Sequence, residues 1–98
     1  MAYIFIHFVL IVSKISLKKE AKIKEETLRL LYDKYPKFNY TNTISYEILR
    51  NNEFVLRLLN ELMKEGLVSF IEEKGGRGIR KKWCLKNDVF EKYKELLS

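Results

Sequence analysis

Lys74, Arg77, Arg80, Lys81 and Lys82 lie within nine residues of one another, interleaved with Gly75, Gly76 and Gly78. Clustered ammonium and guanidinium groups neutralise phosphates and release the counterions condensed on a nucleic acid. The glycines remove side chains that would hold the backbone away from a groove. Covalent chemistry has no comparable foundation in this chain. His7 stands alone in an apolar run and reads as a core or interface histidine. Cys84, the single cysteine, sits between Trp83 and Leu85 as a strand residue and can form neither an intramolecular disulfide nor a Cys-based metal site. The glycine cluster lacks the Gly-Lys-Ser/Thr ending of a phosphate-cradling loop, and no Ser-His-Asp set, carboxylate pair or metal-ligand cluster presents itself. The expectation is therefore a protein that is not an enzyme, with no metal, no cofactor and no small-molecule substrate.

Nineteen Lys and Arg against thirteen Asp and Glu give a net charge of +6, which favours a polyanionic partner. The excess is local. Residues 14–35 carry seven positive and four negative charges and residues 67–86 six and two, whereas residues 51–66 and 87–98 are each slightly acidic. With 98 residues, 47 % of them hydrophobic and 33 % charged, the chain has the composition of one ordered globular domain. Such a chain buries roughly 60–65 % of its unfolded surface, enough for a single core.

The elements that must carry the basic cluster follow from periodicity. Val55, Leu58, Leu59 and Leu62 form one helical stripe, with Asn52 as N-cap and Gly66 where a left-handed residue ends the helix. Leu67 to Ile71 and Lys82 to Leu85 are rich in β-formers and flank Glu72 to Lys81, which reads as the tip of a hairpin. Upstream, a helix runs from a Ser16 N-cap to Tyr35 on Leu17, Ala21, Leu28, Leu31 and Tyr35, and Pro36 stops it. Lys37 to Tyr40 is extended. Thr41 to Arg50 holds a compact helix with Ile44, Ile48 and Leu49 inward, and Asn51-Asn52 makes the turn. Asp88 caps a last helix bearing Val89, Phe90, Tyr93, Leu96 and Leu97.

Residues 2–12 are apolar apart from His7, but a membrane-spanning helix needs about 20 such residues. Lys14, Lys18 and Lys19 follow the run, opposite to a secretory signal. A buried strand, an interface helix and a surface anchor stay open for this segment. Residues 1–15 are expected to serve as a dimerisation element, 16–98 as the folded domain, and the location is expected to be cytoplasmic. High Lys, Ile and Glu content without Gln is compatible with a thermophilic, archaeal host.

The order helix, short strand, helix, turn, helix, strand, wing, strand, helix, with Leu59-x-x-Leu62-x-x-x-Gly66-Leu67-Val68 closing the third helix, resembles the winged helix-turn-helix superfamily over residues 16–98. Among its members it looks most like small MarR- or PadR-like bacterial and archaeal regulators. The resemblance implies an α+β winged-helix fold that binds double-stranded DNA as a homodimer and regulates transcription. The third helix would enter the major groove and the wing would reach phosphates or the minor groove. By position, the groove-facing set is Asn52, Glu53, Phe54, Leu56, Arg57, Asn60 and Glu61, with Arg57 suited to guanine and Asn60 to adenine. The expected DNA-binding residues are then Asn52, Arg57, Asn60, Lys74, Arg77, Arg80, Lys81 and Lys82. Phe54 and Leu56, beside Glu53 and Glu61, carry the alternative: a winged-helix module that docks protein without sequence-specific DNA binding.

Overall fold

The computed structural model describes residues 18–97, and the expectations for residues 1–15 and for the Ser16 cap lie outside them. Helix α1 spans Lys18–Lys34. It buries Ile23, Lys24, Thr27, Leu28 and Leu31, a stripe at helical spacing that includes a lysine and a threonine. Thr27 Oγ1 donates to the Ile23 carbonyl at 2.8 Å, so its hydroxyl is satisfied inside the core.

A two-residue strand, β1 (Asn39–Tyr40), leads into α2 (Thr41–Ile48). Ile44 faces the core, but Leu49 does not join it. Leu49 ends α2 in the left-handed conformation at φ 57, ψ 48, and its side chain is 79 % exposed. Its backbone N–H and that of Arg50 return to the last carbonyls of α2, which closes the tight turn at the expense of a conformation costing about 1–2 kcal/mol for a residue with a Cβ.

Helix α3 (Asn52–Lys64) buries the expected Val55, Leu58, Leu59 and Leu62. Its N-cap is Asn51, not Asn52: Asn51 Oδ1 accepts from the Phe54 backbone N–H at 2.8 Å. Gly66, at φ 80, turns the chain toward the sheet as expected, with the Leu67 N–H bonded to the Leu62 carbonyl.

The hairpin is longer than its composition suggests. Strands β2 (Val68–Gly75) and β3 (Gly78–Leu85) pair in antiparallel register along their whole length. Glu72 to Lys81 is therefore mostly strand, held by the cross-strand pairs Glu72 with Lys81 and Glu73 with Arg80. Only Gly76 and Arg77 form the turn, and Gly78 takes φ 123, a conformation L side chains rarely adopt. Strand β1 pairs with the other edge of β3, so the sheet order is β1-β3-β2.

Helix α4 (Asn87–Leu97) begins one residue before the expected cap, placing Asp88 in its first turn. It packs on α1 through Phe90, whose ring stacks on Tyr35 at 3.9 Å and on Tyr32 at 5.1 Å between centroids. The core joins helices α1, α2 and α3 to the sheet through Trp83, Val68 and Leu85, with α4 packed against it through Val89 and Phe90. Trp83 Nε1 donates to Thr41 Oγ1 at 2.9 Å, pinning the start of α2 to β3. The architecture is that of a winged helix: helices α1 to α3, then a small antiparallel sheet with a wing hairpin. No helix among the described residues is long and apolar enough to cross a membrane.

Candidate nucleic-acid interface

The start of α2, the first turns of α3 and the hairpin open onto one groove of about 480 Å³. Thr41 and Asn42 of α2, Glu53 and Leu56 of α3, and Glu72, Ile79, Arg80 and Lys81 of the hairpin line it. Strand alternation places Glu72, Ile79 and Lys81 on the sheet face that carries Phe70 and Trp83 nearer the core, and Arg80 on the opposite face. The outer face of α3, next to this groove, presents Glu53, Leu56, Arg57, Asn60 and Lys64.

The expected site residues divide by how they are held. Asn52 is committed to the helix-turn-helix itself: its Nδ2 donates to Asn42 Oδ1 at 2.7 Å, and its Oδ1 lies 2.7 Å from Ser45 Oγ. Ser45 Oγ is also 2.9 Å from the Thr41 carbonyl, so one hydroxyl hydrogen is shared between two acceptors on the two helices. Asn52 thus ties α3 to α2. Arg57, with 54 % of its side chain exposed, donates to Glu61 Oε2 at 3.0 Å and is ion-paired with Glu20 Oε1 of α1 at 3.6 Å. Its guanidinium also lies 5.1 Å from the Phe54 ring centroid. Asn60 is half-exposed on the same face.

On the wing, Lys74 and Arg77 are exposed, and no ion pair among the described residues engages either. Lys81 lies over Phe70, 4.5 Å from the ring centroid. Arg80 and Lys82 share the opposite sheet face with Tyr40 and Glu73. Lys82 Nζ is 2.8 Å from Glu73 Oε2, the Tyr40 hydroxyl donates to Glu73 Oε1, and the Arg80 guanidinium lies 3.9 Å from the Tyr40 ring centroid. Hydrogen bonds from Lys82 and Tyr40 hold the Glu73 carboxyl below its ordinary range, and the same contacts with Glu73 push Tyr40 and Lys82 up. Lys82 is therefore a partner of the wing's own carboxylate.

Sequence reasoning missed Lys24. Its side chain is only 4 % exposed, and its ammonium lies 3.0 Å from Glu61 Oε1 and 3.6 Å from Glu65 Oε1. Burial pushes the Glu61 carboxyl up, but Lys24 and Arg57 together bring it below its ordinary value. Burial prevails at Glu65, whose one cation is more distant and whose neighbour Glu61 is negative, and its carboxyl is raised. With Glu61 neutralised, the outer face of α3 keeps Arg57 and Lys64 against Glu53. Phe54 is half-buried against the core, not presented outward, which leaves Leu56 as the exposed hydrophobe of this helix. A lysine within a Lys- and Glu-rich helix looks solvated in sequence, and nothing local signals that its partners lie on another helix.

Two solved structures share this fold. The Staphylococcus aureus MepR-DNA complex superposes with a TM-score of 0.66 at 20 % sequence identity, over 92 % of this chain and 78 % of that one. A mutant MepR from a multidrug-resistant S. aureus clinical isolate gives 0.64 at 20 % identity, over 93 % of this chain and 71 % of that one. Both are winged-helix structures, and the likeness is one of fold. No family model matches the sequence, and no curated protein does.

Proposed function

We propose that this chain binds double-stranded DNA as a homodimeric, cytoplasmic transcription regulator, with α3 in the major groove and the wing on phosphates or in the minor groove. The observation that carries the reading is the single groove shared by α3, the start of α2 and the basic hairpin, since a helix and a wing flanking one channel suit a duplex strand running between them. In this reading Arg57 and Asn60 read bases. Lys74, Arg77, Arg80 and Lys81 supply the sequence-independent attraction. Asn52 and Lys82 take supporting parts, holding the turn and the wing. The winged-helix likeness to a MepR-DNA complex agrees with it. Residues 1–15 are proposed to join two copies, which would set two α3 helices about 34 Å apart on a pseudo-palindromic site.

Selection from random duplex DNA at two salt concentrations tests this. The expected outcome is a consensus of two related halves, bound less tightly as salt rises. Salt-sensitive binding without a consensus would replace the regulator by an architectural DNA binder. Absence of binding would leave the protein-docking alternative, now resting on Leu56 without Phe54.

A further inference from the structure

Arg57 is held by groups from two helices, and the contacts use only part of its guanidinium. Nη1 takes the Glu61 and Glu20 carboxylates at 3.0 and 3.6 Å. Guanidinium carries five N–H donors in a rigid plane, so the Nε and Nη2 edge keeps the two parallel donors that guanine O6 and N7 accept. Glu61 is in turn oriented by the buried Lys24, which binds its other oxygen at 3.0 Å. Both outside holds, Glu20 and Lys24, come from α1.

We propose that Glu20 is a positioning residue for base readout: α1, through Glu20, orients the Arg57 guanidinium for one base pair. This rests on the DNA reading above. A free arginine side chain loses rotamer freedom when it is fixed against a base, and a side chain fixed beforehand loses less on binding. The sign of the charge argues for orientation. A carboxylate beside a DNA-facing arginine weakens attraction to every phosphate, so what it adds to binding is orientation, not affinity for phosphate. Glu20 is three-quarters covered, which limits solvent screening of the pair on its side.

The experiment compares wild type, Arg57→Ala, Glu20→Gln and Glu20→Asp on the selected duplex and on every single base-pair variant of it, with a thermal melt of each protein. Arg57→Ala identifies the base pair that Arg57 reads, and absence of any such base pair overturns the DNA reading of α3 and the positioning role with it. Glu20→Gln keeps reach without charge, and Glu20→Asp keeps charge without reach. Both should lower discrimination at that one base pair by roughly 5- to 10-fold, part of the worth of a bidentate contact, with other positions unchanged. Glu20→Gln should also bind random duplex as tightly as wild type or more tightly. Wild-type discrimination in both Glu20 variants, or an equal loss at every base pair, would overturn the proposal.

Discussion

At the wing tip, Lys74 and Arg77 are exposed beside a glycine turn, and no ion pair among the described residues engages them; on α3, Arg57 is ion-paired with two carboxylates and lies over a phenyl ring. Both regions are basic, and they suit different tasks. Mobile, solvated cations can follow the phosphates of any duplex, because that attraction tolerates imprecise geometry. Reading one base edge needs two donors placed to within a fraction of an ångström, so an arginine fixed before binding is the better reader. The same division runs along the hairpin itself. Toward the sheet, Arg80, Lys81 and Lys82 rest on Tyr40, Phe70 and Glu73, whereas the exposed tip cations have no ion pair among the described residues.

The comparison breaks most sharply at Lys24, where the held region has its foundation. Lys24→Met should cost about 1–3 kcal/mol in urea unfolding, because Glu65 would lose its cation and Glu61 would keep only Arg57, while both carboxylates stay partly covered. Adding Glu61→Gln and Glu65→Gln to that variant should recover most of the loss. A cost below about 1 kcal/mol for Lys24→Met would mean that the pairing carries little of the stability of the α1–α3 contact.

Lys24 also marks where the sequence stops being legible. The stripe Val55, Leu58, Leu59 and Leu62 could be read directly, since burial of a helix face follows from its own spacing, and Gly66 announces its end by chemistry. The burial of Lys24 depends on where α3 lies against α1, which no local window contains. The hairpin erred for a related reason. Glu72-Glu73-Lys74 and Arg80-Lys81-Lys82 have loop composition, and only the register that sets Glu72 opposite Lys81 and Glu73 opposite Arg80 makes them strand. Asn51 and Asn52 were interchangeable by propensity; geometry gave the cap to the first and the bridge to α2 to the second.

A smaller stability effect but a clear binding effect is expected at the tip. Lys74→Ala with Arg77→Ala should change unfolding free energy by no more than about 0.5 kcal/mol, as for most exposed positions. The slope of log affinity against log salt should fall by up to about 2, since each lost phosphate contact removes about 0.9. The base preference should survive at reduced affinity. An unchanged slope would remove the tip from the interface, and a lost base preference would show that the two regions do not divide the work.

The finest test uses the two carboxylates that share Lys24, because their proton equilibria shift in opposite directions. Glu61 has a lowered folded pKa, so its contribution is fully present above its unfolded value, near 4.3, and is lost as pH falls through the folded value. Glu65 has a raised folded pKa. Its folded form takes up a proton before the unfolded chain does, so its contribution is present below the unfolded pKa and is lost as pH rises through the folded one. The two partly cancel, and wild-type stability should vary little with pH on their account. Single substitutions uncover them. Urea unfolding between pH 3.5 and 7 should show Glu65→Gln gaining on wild type as pH rises and Glu61→Gln falling behind it. If the two differences run parallel with pH, the shared lysine does not discriminate between its partners, and the closer grip on Glu61 that orients Arg57 is absent.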